Sequence, residues 1–207
     1  TATGRLAQAA QALEKAVALR PGDGDAFADL GNVYLQQDRV DDAQRALQQA
    51  LAVDPTLPRA NNTMGLAALR KGNGEPAEEY FRAAIRHQPD LAEAQNNLGN
   101  LLARRKAYAE AGYHFEKAIR SDPSSTEAHH SYGIVLALMG RIDEAAREYE
   151  LAIQANPDEY DAHLALGEIL VATGRPADAR LHFQAAARSP DPQTRRAGIE
   201  ALRALPR

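Results

Sequence analysis

A period of 34 residues runs through the chain and limits its fold more than any other feature. Proline recurs at this interval at Pro21, Pro55, Pro89, Pro123 and Pro157. Glycine recurs in phase with it at Gly31, Gly65, Gly99, Gly133 and Gly167. Two series of alanines and one series of large residues keep the same interval. Several series in phase do not arise by chance, so the chain consists of one structural unit repeated along its length.

Each unit contains two stretches in which apolar residues recur at helical spacing. In residues 92–125, this pattern predicts helices over Ala92–Arg105 and Ala109–Arg120. Small residues such as Gly99 allow the two helices to approach closely, and Phe115 fills the space between them. Glycine C-caps are predicted at the end of the first helix at Gly72, Gly140 and Gly174. The chain is therefore expected to fold as a series of helix pairs.

The positions of these residues match a known repeat. Counted from Ala92 as position 1, leucine stands at 7, glycine at 8, alanine at 20, an aromatic residue at 24, alanine at 27 and proline at 32. The matching residues are Leu98, Gly99, Ala111, Phe115, Ala118 and Pro123. The chain thus resembles the tetratricopeptide repeat family. This resemblance implies an all-α fold, an α-solenoid of about twelve helices in stacked helix–turn–helix repeats that form a right-handed superhelix.

The resemblance covers nearly the whole chain and predicts a single repeat domain over residues 1–207. Five complete repeats are expected at 24–57, 58–91, 92–125, 126–159 and 160–193. Residues 1–23 supply only the second helix of an earlier repeat, which indicates a chain cut from something longer. Residues 191–207 are expected to form a closing helix that is capped by Asp191 and has Pro192 in its first turn.

One position departs from the family pattern in most repeats. The family has an aromatic residue at position 4, and Phe27 is the one that this chain retains. The counterparts are Asn61, Gln95, His129 and His163. These replacements affect how each first helix packs at its N-terminal end, and they leave the predicted fold intact.

The first helix of each unit has a second stripe, opposite its apolar face, at positions 2, 5, 9, 12 and 13, with position 6 at its edge. In the family that the chain resembles, this stripe lines a concave groove that holds a peptide. The predicted peptide-binding residues are Asn32, Arg59, Asn62, Arg70, Asn96, Asn97, Asn100, Arg104, His130, Ile134 and Leu138. An amide offers both a donor and an acceptor, so the asparagines are suited to hold a peptide backbone. Similar asparagine ladders occur in the repeat arm of O-linked glycosyltransferases, which this groove resembles.

The other predicted groove residues have different roles. Arg70, Arg104 and His130 are expected to take acidic or carbonyl groups, and Ile134 and Leu138 an apolar side chain. Two alternatives stay open. The asparagines could lie on a solvated face or bond to a neighbouring repeat without any ligand. The closing helix could cover the apolar end of the groove.

Composition and spacing argue against several other classes of function. A net charge of −4 argues against nucleic acid as the main partner, and the absence of cysteine excludes thiolate metal sites. His129 and His163 occupy equivalent positions in adjacent repeats, about 10 Å apart by helix packing, which is too far for one metal ion. No cofactor, metal or catalytic residue is predicted. No apolar run approaches the roughly 20 residues of a membrane span, and the compartment, cytoplasmic or periplasmic, stays open.

These features predict a non-catalytic scaffold that binds an extended or helical segment of another protein in its groove. An alternative is the substrate-recruiting or regulatory repeat arm of a larger enzyme, such as a glycosyltransferase. A third hypothesis is self-association through the uncapped apolar face of the N-terminal half repeat.

Overall fold

A computed structural model of the protein describes the backbone of residues 2–206 and the side chains of residues 4–206. Thr1 and Arg207, which fall within the predicted end segments, lie outside the described residues. The described chain forms twelve helices and no strand. They are α1 (Ala2–Leu19), α2 (Gly24–Gln36), α3 (Val40–Val53), α4 (Pro58–Arg70), α5 (Gly74–His87), α6 (Ala92–Arg104), α7 (Tyr108–Ser121), α8 (Thr126–Leu138), α9 (Ile142–Ala155), α10 (Tyr160–Ala172), α11 (Pro176–Ala186) and α12 (Pro192–Ala204). The predicted all-α repeat fold is confirmed.

The helices follow the 34-residue period. The first helices α2, α4, α6, α8 and α10 begin at residues 24, 58, 92, 126 and 160. The predicted boundaries in residues 92–125 are correct to within one residue at each helix end. At the C-terminus, α12 is the expected closing helix. The carboxylate of Asp191 accepts the backbone N–H of Thr194 at 2.8 Å, which confirms the predicted N-cap.

The chain divides into two compact units, Thr1–Leu101 and Leu102–Arg207, with the boundary inside α6. Unit 1 contains α1 to α5 and most of α6. Its core is a continuous apolar cluster that includes Leu30, Leu47 and Met64. Unit 2 contains α7 to α12, with Phe115, Leu136 and Leu166 among its fully buried side chains.

Within a repeat, a glycine of the first helix lies against a large side chain of the second. A Cβ atom added to Gly65 would lie 2.5 Å from the ring of Phe81, and one added to Gly167 would lie 2.5 Å from the ring of Phe183. Both rings are buried. No real Cβ atom fits at such distances, so glycine at position 8 is what allows the two helices to pack this closely.

The turn between the two helices of a repeat passes through a left-handed residue. Glycine supplies it at Gly72, Gly140 and Gly174, with φ of 78°, 76° and 80°. This confirms the predicted glycine C-caps. Asp38 and Lys106 adopt the same conformation in the remaining turns, with φ of 60° and 63°. Because a left-handed residue satisfies the last carbonyls of the helix, every repeat keeps this turn, even without glycine.

The residues that replace the family's aromatic at position 4 share one hydrogen bond. Each donates from its side chain to the carbonyl of the proline six residues earlier. The pairs are Asn61 Nδ2 to Pro55 at 3.0 Å, Gln95 Nε2 to Pro89 at 2.8 Å, His129 Nε2 to Pro123 at 3.1 Å and His163 Nε2 to Pro157 at 3.2 Å. These bonds satisfy carbonyls in the turns between repeats, which have no helical donor. A polar side chain therefore fixes the N-terminal end of each of these first helices.

The last of these side chains belongs to a histidine pair. The Nδ1 atoms of His163 and His182 lie 2.9 Å apart. When both rings are neutral, Nε2–H of His163 donates to the carbonyl of Pro157, its Nδ1 accepts, and His182 donates from its own Nδ1. Burial lowers the pKa of each ring, and the charge of His163 lowers the pKa of His182 further.

We expect the substitution Gly167→Ala to destabilise the protein, because the added methyl group overlaps the buried ring of Phe183. Overpacking of this kind costs about 1–3 kcal/mol. Gly112→Ala is the matched control within a helix of the same unit, since its Cβ would meet Tyr132 at an ordinary 3.4 Å. Chemical denaturation should show Gly112→Ala to be neutral or stabilising by up to about 1 kcal/mol. Equal effects of both substitutions would contradict the close-approach account.

We expect the histidine pair to make stability depend on pH. Because folding lowers both pKa values below the ordinary 6.5, the unfolded chain binds more protons in this range. The free energy of unfolding should therefore fall as the pH drops from about 8 to about 5.5. The double variant His163→Asn, His182→Tyr copies Asn61 and Tyr80 of the second repeat and should flatten this decline. Denaturation midpoints across the range test this, and an unchanged slope in the variant would refute it.

Candidate functional site

A small polar cavity in unit 1 collects several of the predicted groove residues. It lies between α2, α4 and the start of α6, and its volume is about 80 Å³. We call it the amide cavity, and its lining consists of Ala28, Asp29, Asn32, Arg59, Asn62, Thr63, Leu66 and Glu93. The structure thus brings Asn32, Arg59 and Asn62 together on one surface of unit 1.

Asn62 is held in place by an asparagine of the next repeat. Nδ2 of Asn97 donates to Oδ1 of Asn62 at 2.9 Å. This bond fixes the orientation of the Asn62 amide, which is only 3% exposed. Among the residues that the structure describes, none accepts a hydrogen bond from Nδ2 of Asn62. The cavity is therefore lined by an oriented amide with a free donor.

Charged groups of both signs surround this donor. The guanidinium of Arg59 lies 3.9 Å from the carboxylate of Asp29, and both side chains are largely exposed. An exposed pair at this distance contributes about 0–1 kcal/mol, so either group can exchange its partner for a ligand at low cost. Glu93 adds a second carboxylate to the lining. These groups can receive both the donors and the acceptors of a bound chain.

The other predicted asparagines lie elsewhere. Asn96 is only 6% exposed, and its Oδ1 atom is buried without a hydrogen bond from any described residue. Asn100 is half-buried on the same helix. Neither lines the amide cavity. Asn97 acts through Asn62, so it is a positioning residue in this unit.

Arg70 is already engaged within unit 1. Its guanidinium lies 2.8 Å from a carboxylate oxygen of Asp38 and donates to the carbonyl of Leu35 at 3.3 Å. That carbonyl lies in the last turn of α2 and also accepts the backbone N–H of Asp38 at 3.1 Å. Arg70 thus adds a second donor at the end of the preceding first helix, and a ligand would have to compete for it.

The remaining predicted residues belong to unit 2. Arg104 is exposed, and no described residue bonds to it. Nδ1 of His130 lies 3.2 Å from a carboxylate oxygen of Glu159. Ile134 and Leu138 are 42% and 58% exposed. The closing helix α12 packs on α10 and α11 with Leu205 buried, and it leaves these two side chains uncovered.

Two apolar cavities lie side by side in unit 2. The first, of about 300 Å³, is lined by Ala137, Ile142, Tyr149, Ala165, Glu168, Ile169 and Ala172. The second, of about 290 Å³, is lined by Glu168, Val171, Ala172, Phe183, Ala201, Ala204, Leu205 and Pro206. We call them together the apolar groove. Glu168 and Ala172 line both cavities. Glu168 stands at stripe position 9 of its repeat, and it is not among the predicted peptide-binding residues.

Asp29 was also missed, although a signal for it exists. It stands at position 6, beside the predicted stripe, and Arg59 is at position 2 of the next repeat. Asn97 likewise stands at position 6 and reaches Asn62 at position 5 of the repeat before it. Pairs between position 6 and positions 2 or 5 of adjacent repeats are the pattern that would have indicated these contacts.

Two other kinds of feature are absent from the described part of the chain. No group of three or more histidine, aspartate or glutamate side chains there could hold a metal ion. No helix between residues 2 and 206 combines the length and apolar character that crossing a membrane requires.

We expect Asn62 and Asn97 to be energetically coupled. Each of Asn62→Ala and Asn97→Ala should destabilise the protein, and the double variant should lose less than the sum of the two. A side-chain hydrogen bond of this kind contributes about 0.5–1.5 kcal/mol, which sets the expected coupling energy. A double-mutant cycle by chemical denaturation measures it. Strict additivity would mean that Asn97 does not hold the Asn62 amide.

Comparison with solved structures places the fold among known repeat proteins. The structure of pilF from Pseudomonas aeruginosa is 23% identical, with a TM-score of 0.79 over 87% of this chain and 83% of that one. YrrB, described as a TPR protein with an unusual peptide-binding site, is 21% identical, with a TM-score of 0.70 over 94% and 99%. MamA is 22% identical, with a TM-score of 0.67 over 83% and 97%. At these identities, the likeness is one of fold.

Family models give a direct assignment. No curated protein matches the chain significantly. One model described as tetratricopeptide repeat matches residues 62–126 and 133–193, and a second with the same description matches residues 1–67. Together they cover most of the chain, in agreement with the helix pairs and the glycine contacts described above. The chain belongs to the tetratricopeptide repeat family.

Proposed function

We propose that this protein is a non-catalytic scaffold that binds an extended segment of a partner protein at the amide cavity of unit 1. Tetratricopeptide repeat proteins are generally scaffolds for protein interaction. What the proposal adds is the place and the mode of binding. Asn32 and Asn62 hold the backbone of the segment, and Arg59, Asp29 and Glu93 surround it.

The observation that carries the proposal is the bond from Asn97 to Asn62 at 2.9 Å. It occupies the acceptor of the Asn62 amide and leaves the donor for a ligand. A peptide carbonyl is the group that satisfies such a donor in a protein complex. The bond also orients the amide before binding, which reduces the entropy lost when a ligand is held.

The size of the cavity agrees with this mode of binding. Sites for cofactors and drug-sized ligands are about 300–1,000 Å³, whereas the amide cavity is about 80 Å³. It can admit a carbonyl group or one small side chain. A peptide passing over its mouth meets this requirement, because it inserts one group at a time. YrrB, which shares this fold, is itself described as having a peptide-binding site.

Capture of partners from a lysate of the source organism, read by mass spectrometry, tests the proposal. We expect wild-type protein to retain at least one partner that the double variant Asn32→Ala, Asn62→Ala loses. The matched control is Gln48→Ala, Gln49→Ala, which removes two exposed amides on α3. The control should retain the partner.

Circular dichroism must first show that both variants are folded. A partner retained equally by wild type and by the amide-cavity variant would contradict the proposal. A partner lost by the control variant would place the binding surface on α3 instead.

A further inference from the structure

The apolar groove of unit 2 has a chemistry different from that of the amide cavity. We propose that it binds an amphipathic helix of a partner protein, with one apolar side chain in each cavity and a lysine or arginine between them at Glu168. This inference rests on the proposed function as a protein-binding scaffold. It names the chemistry of the partner at a second surface.

The position of Glu168 gives the groove its charge preference. Its carboxylate borders both cavities, and every other residue that lines them is uncharged. No described residue forms an ion pair with Glu168. Its charge also contributes to the raised pKa of Tyr149, after the larger effect of burial, which places the carboxylate near that hydroxyl. A partner that covered the groove without a cation would bury an unpaired charge, which is strongly unfavourable.

Exposed apolar side chains border the groove. Ile134, Ala137 and Leu138 share one face of α8 at spacings of three and four residues, and Ala137 lines the first cavity. Val171 lines the second cavity and is 41% exposed. Contiguous exposed apolar side chains mark interaction surfaces in proteins. Ile134 and Leu138, predicted from the sequence as apolar anchors, thus extend the groove along α8.

The spacing of the cavities favours a helix over an extended strand. They lie on either side of α10, so their separation is about one interhelical distance, roughly 8–10 Å. Residues seven apart on a helix are separated by about 10.5 Å along its axis, with positions 3 and 4 between them on the same face. In a strand, neighbouring residues on the same face are about 6.6–6.8 Å apart. No pair of them matches the separation of the two cavities.

This spacing of residues on a helix defines the sequence motif that we expect in the partner. An apolar residue is followed three or four residues later by lysine or arginine, and a second apolar residue stands seven after the first. Each apolar side chain enters one cavity of about 300 Å³ or less. The net charge of −4 of the whole chain favours the approach of a basic segment.

A displayed library of alanine-rich helical peptides tests the proposal. The two apolar positions and the two positions between them on the same face are randomised, and the library is selected against wild type and Glu168→Lys. We expect wild type to enrich lysine or arginine between two apolar residues, and Glu168→Lys to enrich aspartate or glutamate there. Peptides selected on wild type should bind Glu168→Lys at least tenfold more weakly.

Two further variants test whether peptide binding depends on Glu168 and on the two cavities. Glu150→Lys reverses an exposed charge on α9 that lines neither cavity, and it should bind the selected peptides as wild type does. Ala172→Phe should abolish binding, because Ala172 is exposed and borders both cavities, so that the ring fills them without entering the core. Circular dichroism confirms that each variant is folded.

The proposal is overturned if wild type enriches no residue at the randomised positions, or if the charge preference is the same for wild type and Glu168→Lys. Its failure is distinguishable from failure of the proposed function. The amide-cavity variant Asn32→Ala, Asn62→Ala should bind the selected peptides normally, since those residues belong to unit 1. Suppose that this variant loses partner capture and that the library yields no selected peptide. The proposed function would then be retained, and the apolar groove would be rejected as a helix-binding site.

Discussion

The close approach of the two helices in each repeat is the constraint on which the rest of the structure depends. At Gly65 and Gly167, a single added carbon would lie 2.5 Å from a buried ring. This contact fixes which face of the first helix is turned toward the second. The opposite face is then left without a role in the core of its own repeat, and it is free to carry polar or charged side chains. Packing within the repeat thus determines which face of the first helix can carry polar side chains.

Adjacent repeats are joined by polar contacts added to this packing. The side chain at position 4 closes the turn between repeats by donating to a proline carbonyl, as Asn61 and Gln95 do in unit 1. Arg70 donates to the carbonyl of Leu35 in the last turn of α2, and Asn97 donates to Asn62. These contacts cross from one repeat to the next. They keep the first helices of unit 1 in register, so that residues from three repeats can line one cavity.

The sequence predicts the fold almost completely, because the fold depends on local spacing. Periodicity within 34 residues locates the helices, and the residues at fixed positions identify the family. It predicts the site less well, because hydrogen bonds between repeats depend on three-dimensional geometry. Asn62 and Asn96 share position 5 and look equivalent in sequence, yet Asn62 lines a cavity and Asn96 is buried away from it. For the same reason, the sequence could not predict the hydrogen bonds of Arg70 or the place of Glu168 in the lining of both cavities.

We propose that the amide of Asn62 is oriented for a ligand and is not merely a structural group. Nuclear magnetic resonance can test this by following side-chain amide signals while the chain of 22.4 kDa is titrated with the binding segment of a captured partner. We expect the Nδ2 signals of Asn32 and Asn62 to shift and saturate together, while those of the turn residues Asn73 and Asn156 do not move. Binding that leaves the Asn62 signal unchanged would contradict it.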